Sequence, residues 1–453
     1  MSNHNNSQTN QPLGLRLYHL QIALLPIVIV GIIFAGYKGI HWSELLSFRV
    51  DDGWCRTGIE GIGRHCFGDF GLPYNRGNFQ NVYEPGNMDA TSTPLTAVIF
   101  EFFRLFPYDI ALVIYQSWMI LSVFLPIFLV STSYSLAVRI GASTIIGVGS
   151  IGAISAIDRG NHVAVLVPLG LAYIISLEKK RWSQALLFLV ILSMLKFWGI
   201  VLVIGLIANR RYRDSAYAIL ITALGSLGLL FFFPGGFSLK FSSMYDIVTD
   251  KNYAADVAGY ATSTHGLVKR VACAFSTTDW CNTEVHARSI FSSSFFSLLI
   301  VLFLVGWCWW LLRIAKAPVE IWGASILALA FMAVPDAPTY NTVFAVAIAA
   351  LLFWSSNQLG TSDEKNRGAR KWHRSSTTLV WIIALTQLPM TIFIAYTGVG
   401  DSKSVLASGT SDVPPFFRLN YWTTPTLWIL FVIITLWDGG QKAGSEVGEV
   451  VYE

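Results

Sequence analysis

The sequence predicts an all-α polytopic membrane protein, one domain over residues 1–453 with about twelve membrane helices. Three observations carry this. Of the 453 residues 54% are hydrophobic and only 13% charged, where a soluble domain carries about a quarter. The apolar residues arrive in long blocks rather than amphipathic stripes. Basic clusters recur at the ends of those blocks in a pattern that puts them all on one face. Mean hydropathy is +0.54, and no nucleic-acid partner is expected.

The predicted spans are Leu20–Tyr37, Asp109–Ser131, Ala142–Ile157, His162–Leu177, Ser183–Leu195, Phe197–Ala208, Ala216–Phe233, Ile290–Leu312, Val319–Val334, Thr342–Ser356, Thr377–Tyr396 and Thr423–Trp437. An even number puts both termini on one side. The clusters "EKKRW", "NRRYRD", "LLRIAK" and "KNRGARKWHR" mark that side as cytoplasmic by the positive-inside bias. The polar start "MSNHNNSQTNQPLG" precedes a segment long enough to remain as a span, so no cleaved leader is expected. The expected location is the plasma membrane.

The opposite face receives two long loops, residues 38–108 and 234–289. Loops of that size on a scaffold of spans are where function usually sits. In the first, "SELLSFRV" and "DDGWCRTGIEGIGRHC" read as interfacial or short helical pieces. "PLTAVIFEFFRLF" is apolar, but it is shorter than the roughly 20 residues of a span and carries Glu101 and Arg104. It is expected to lie against the membrane.

Residues 182–208, between "EKKR" and "NRRYRD", do not hold two full spans, which need roughly 40 residues. One span would place a basic cluster on the wrong side. A pair of short helices meeting at Lys196 satisfies both constraints, and such a break is tolerated only inside protein or beside a cavity. The alternative is one tilted helix with a snorkelling lysine.

Cysteines are confined in the same way. Cys55 and Cys66 share the first outer loop, and Cys273 and Cys281 share the second. Neither pair has the spacing of a zinc motif, and two local disulfides in an oxidising compartment are expected. Cys308 reads as a small apolar residue in a span.

Ionisable residues gather at span ends of the outer face: Asp51 and Asp52, Asp158 and Arg159 in "IDRGNH", Lys269 and Arg270 in "THGLVKR", and Asp336 in "VPDAPTYN". Each has a plain reading beside a functional one. The Asp pair caps a helix, "DRGN" turns between spans, "KR" meets anionic headgroups, and "PDAPTYN" is a loop. A transporter would instead show related halves and several intramembrane charges. Here only Lys196 reads as lying at membrane depth, and no second half resembles the first.

The order of "NVYEPGNMDATSTPLT", "RGNHVAVLVPLGLAYI", "SMLKFWGIVLVIGLIANRRYR", "STHGLVKR" and "VPDAPTYNTV" resembles glycosyltransferase family 87. That polytopic family of the GT-C fold class includes actinobacterial polyprenyl-phosphomannose and arabinofuranosyl transferases. The chain departs from the family pattern at "TSTPL", at Gly160–Asn161 and near Tyr340–Asn341.

The resemblance implies a polyprenyl-phosphate sugar donor, a glycolipid or glycan acceptor, and a catalytic aspartate early in the first outer loop, here Asp51 or Asp52. A carboxylate there accepts the proton of the attacking hydroxyl. Lys196, Arg159, Lys269 and Arg270 are candidates to hold the donor phosphate. Trp54 and Tyr340 offer faces for sugars, with Asp158, Asn161, Asp336 and Asn341 as further sugar or acceptor contacts. Neither a cofactor nor a metal is expected, because no dense carboxylate cluster appears. The competing functional reading is a transporter or flippase of lipid-linked sugars, and a weaker third is a non-catalytic assembly factor.

Overall fold

The computed structural model describes residues 11–37, 67–76, 93–233, 235–238, 240–242, 263–264, 266–268, 294–334, 339–358, 372–388, 393–395 and 416–449. Its elements are α1 (Leu13–Tyr37), α2 (Gly68–Arg76), α3 (Pro94–Phe103), α4 (Tyr108–Val130), α5 (Leu136–Ala142), α6 (Ile151–Arg159), α7 (Val167–Glu178), α8 (Trp182–Leu195), α9 (Ile204–Ala208), α10 (Tyr212–Leu229), α11 (Ser294–Arg313), α12 (Val319–Met332), α13 (Phe344–Gln358), α14 (His373–Thr386) and α15 (Leu419–Glu449). The regular elements among the described residues are helical except for one short antiparallel ladder, β1 (Phe393–Ala395) with β2 (Phe416–Arg418), which the all-α expectation omits.

Among the described residues three helical stretches are long and apolar enough to cross a membrane alone: Leu13–Gly31, Tyr108–Val130 and Tyr212–Phe232. The bent pair Leu136–Val148 and Ile151–Arg159 makes a fourth. Most of the other predicted spans appear as shorter apolar helices of 10–17 residues. Helices α12 and α13 form the centre. Every residue of α12 from Glu320 to Met332 is buried, as are Phe344 to Phe353 of α13. Around them α1, α4, α10 and α11 turn Ile29, Val30, Val113, Leu129, Leu224 and Leu302 outward, each exposed.

Two breaks shape the bundle. A π-helical segment (Ser143–Val148) continues α5 and ends at Gly149, whose N–H reaches Thr144 O at 2.8 Å. The chain then bends by 63° into α6. Such a bend follows from the inserted residue of a π-turn and the Gly–Ser pair after it, not from proline. Ser150 restarts the helix by accepting from Ala153 N. Gln387, at the end of α14, supplies its carbonyl to Ile151 N and its Oε1 to Gly152 N.

The second break is the hairpin at Lys196. Helix α8 ends there with Lys196 in an extended conformation (φ −145, ψ 114). The 3₁₀ segment Phe197–Val203 then runs back, leading into α9. Close return is possible because a Cβ at Gly199 would lie 2.2 Å from Leu192 Cδ2. The expected pair of short helices is what forms, and the single tilted helix is not.

Helix boundaries differ from expectation at several helices, most at α15, which runs Leu419–Glu449 where Thr423–Trp437 was expected. α1 starts at Leu13 rather than Leu20, because Arg16 and His19 continue the helix instead of preceding it. The span expected to reach Tyr396 leaves the helix at Gln387, two residues before Pro389, which does not continue a helix. The interfacial expectation for residues 94–106 is met in part. α3 exposes Phe102, with Leu105 exposed just beyond its end, but it buries Ala97, Phe100 and Phe103 and packs against α2, α8 and α10. Cys308 is a buried free thiol.

Candidate active site

At one end of the bundle the segments 67–76, 93–96, 158–166, 195–196 and 339–343 meet. The turn after α6 is the hub. Gly160 caps α6 with φ +67, and Asn161 N closes on Ala156 O at 2.8 Å, a left-handed end that favours glycine. A Cβ at Gly160 would sit 2.9 Å from Phe70 Cβ and 3.2 Å from Phe67 Cα. α2 therefore rests directly on this turn, with Phe67 N bonded to Asp158 O at 2.7 Å. Phe67 itself has φ 64, a strained conformation for an aromatic residue.

That contact places Asp69 among three donors. Arg159 approaches with Nε on Oδ2 at 3.2 Å and Nη2 on Oδ1 at 3.3 Å. Asn161 Nδ2 donates to Oδ2 at 2.7 Å. The other end of the Asn161 amide accepts Val163 N at 3.1 Å and starts the 3₁₀ turn His162–Leu166. Below, Phe70 packs at a tilt against Tyr115 (ring centroids 4.7 Å), and Tyr115 donates its hydroxyl to Gly160 O at 3.1 Å. Asp69 and Tyr115 were not foreseen. Asp69 lies 90 residues from Arg159, and a single sequence carries no signal for that contact.

The Lys196 break is tied to the same end. Leu195 O, the last carbonyl of α8, accepts from Thr93 Oγ1 at 3.2 Å and Thr96 Oγ1 at 3.0 Å, and His162 Nε2 lies 3.3 Å away. Thr93 is also the N-cap of α3, followed by Pro94. The "TSTPLT" and "RGNH" motifs thus hold the backbone beside Lys196, which is half-buried.

The late outer motif joins from the other side. Gly152 of α6 is so close to the turn Thr339–Val343 that a Cβ would fall 2.5 Å from Val343 N. Tyr340 and Asn341 both belong to this turn. Asn341 is buried, and its Oδ1 has no hydrogen-bond partner among the described residues.

Of the expected site residues, then, Asp158, Arg159, Asn161, Lys196, Tyr340 and Asn341 lie on segments that converge. Asp51, Asp52, Trp54, Cys55, Cys66, Lys269, Arg270, Cys273, Cys281 and Asp336 lie outside the described residues. Among the described residues no three His, Cys, Asp or Glu side chains form a metal-ligand group. Thr264, of the "STHGLVK" stretch, lines an apolar cavity of about 310 Å³ with Leu299, Phe303, Val432 and Ile433, between α11 and α15.

The sequence profile of glycosyltransferase family 87 matches residues 91–335, more than half of the chain. The chain belongs to glycosyltransferase family 87. It is a membrane glycosyltransferase, with a sugar donor and an acceptor as its partners. No curated protein and no solved structure matches the chain. The family 87 match contains the Thr93–Thr96 cap, the Asp158–His162 turn and the Lys196 break. It begins after Asp51, Asp52 and Asp69 and ends before Asp336, Tyr340 and Asn341.

Proposed function

We propose that this family 87 chain transfers mannose or arabinofuranose from a polyprenyl phosphate to a cell-envelope glycolipid or glycan, at the extracytoplasmic face of the plasma membrane. The observation that carries the reading is the Lys196 break. A half-buried cation on interrupted backbone at the end of an apolar bundle is the kind of feature that lines a functional cavity. Leu195 O, one residue away, is held by Thr93 and Thr96 with His162 beside it.

In the proposed reaction the acceptor hydroxyl oxygen attacks the anomeric carbon and the bond to the phosphate oxygen breaks. The hydroxyl proton passes to the carboxylate of Asp51 or Asp52. The polyprenyl phosphate leaves as an anion held by positive charge. One base and one displacement invert the anomeric centre. Lys196 is the phosphate ligand of first choice, with Lys269 and Arg270 as further candidates, while the Arg159 guanidinium faces Asp69. Arg159 and Asn161 then act as the frame, and Trp54, Asp158, Asp336, Tyr340 and Asn341 contact sugar or acceptor. The apolar cavity at Thr264 suits the isoprenoid chain. The reaction needs no metal or cofactor.

The test incubates purified protein with synthetic polyprenyl-phosphate mannose or arabinofuranose and acceptor lipids. A glycosylated acceptor supports the reading. Transbilayer movement of the donor without transfer favours a flippase instead.

A further inference from the structure

Among the described residues four non-glycine residues have a positive φ, and three of them are basic: Lys180 (φ 54), Arg210 (φ 58) and Lys316 (φ 48). Each stands just past the end of a helix, after α7, α9 and α11. The first two close matched turns. Lys180 N meets Leu177 O at 3.0 Å and Arg181 N meets Ser176 O at 2.8 Å. Arg210 N meets Ile207 O at 2.9 Å and Arg211 N meets Leu206 O at 3.0 Å. The third turn is one residue wider, from Ala317 N to Leu311 O at 2.9 Å. Glycine fits such a position without strain and is its usual occupant.

The three turns share one face. Arg211 lies over the Trp182 ring at 5.1 Å, joining the first turn to the second. α9 packs on α11, and Glu320, just after the third turn, lies within electrostatic range of Glu178, just before the first. Lys180, Arg210 and Lys316 are all exposed, and none is ion-paired to a carboxylate among the described residues. Tyr212, which is exposed, follows Arg211, and half-buried Trp182 lies under the Arg211 guanidinium. Such aromatic residues mark headgroup depth. Orientation by the positive-inside bias does not explain the strain, because a cation one residue away from a glycine would orient the helix equally well.

We infer that these left-handed basic turns form a docking surface for the phosphates of anionic phospholipids in the leaflet at this face. The αL conformation carries each side chain off the helix end, toward the headgroups, where each cation strengthens binding roughly fivefold. This inference is independent of the transferase reading.

The experiment compares the full-length protein with the triple variant Lys180→Gly, Arg210→Gly, Lys316→Gly in phosphatidylcholine nanodiscs, titrated with short-chain phosphatidylglycerol. The parent is expected to gain thermal stability as phosphatidylglycerol is added. The glycine variant should bind it roughly a hundredfold more weakly, while in phosphatidylcholine alone it unfolds at the same temperature or higher, its turns being relaxed. The charge-preserving set Lys180→Arg, Arg210→Lys, Lys316→Arg should keep the gain, and inorganic phosphate should not reproduce it. An undiminished gain in the glycine variant, its loss in the charge-preserving set, a lower midpoint of the glycine variant in phosphatidylcholine, or full stabilisation by inorganic phosphate would each overturn the inference.

Discussion

Asn161 donates to Asp69 at 2.7 Å, and the same amide accepts Val163 N at 3.1 Å. One side chain therefore locks the first-loop helix α2 to the start of the 3₁₀ turn that leads into α7. Arg159 adds two longer contacts to the same carboxylate.

Replacing Asp69→Asn removes the charge and leaves Nδ2 of one amide facing a guanidinium and another amide. Charge-assisted hydrogen bonds contribute roughly 1.5–3 kcal/mol each. The Arg159 and Asp69 side chains are 20% and 24% exposed, so the expected net loss is nearer 1 kcal/mol. Thermal unfolding in detergent should show a lower midpoint, rescued in part by Asp69→Glu. An unchanged midpoint in both Asp69→Asn and Asp69→Ala would show that α2 is held by its aromatic contacts alone.

Gly160→Ala should be the more damaging change. The left-handed backbone costs an alanine about 1–2 kcal/mol, and the new Cβ would lie 2.9 Å from Phe70 Cβ, which forces α2 to shift. A total of about 2–4 kcal/mol is expected, read as a lower unfolding midpoint together with loss of activity. A variant as stable and active as the parent would contradict the close seating of α2 on this turn.

Much of this end of the molecule was legible from residues 182–208 and from the placement of charge. Two spans do not fit between "EKKR" and "NRRYRD", and one span would put a basic cluster on the wrong face, so length and charge together favoured a break at Lys196 over a single tilted helix. The bend after Val148 was not legible, because it arises from a π-turn and the Gly149–Ser150 pair, which leave the apolar block uninterrupted. The role of Asp69 was hidden for a different reason. Its partners stand in a motif that reads as a tight turn, and only the fold brings them together. Thr93, Thr96 and His162 were inside quoted motifs, yet their shared target is a backbone carbonyl, which sequence does not display.

Lys196→Ala should raise the apparent KM for the lipid-linked donor at least about tenfold, the scale of one charge-assisted phosphate contact, with the fold retained. A cysteine placed at 196 should react with an impermeant reagent added to the outer side. Reaction from the cytoplasmic side only, with turnover intact, would remove Lys196 from the site.

For the proton acceptor, Asp51→Asn is expected to lower the rate at least about a hundredfold, the usual scale for a positioned base, with Asp52→Asn the milder change. Near-normal turnover in both variants would remove the pair from the reaction.

The donor decides the central claim most directly. Purified protein in detergent free of polyprenyl phosphate is supplied with acceptor lipid and either a nucleotide sugar or the matching polyprenyl-phosphate sugar, and the glycosylated acceptor is quantified by mass spectrometry. Product is expected only with the lipid-linked donor, and less of it from Lys196→Ala at limiting donor. Equal turnover with the nucleotide sugar alone would contradict the claim.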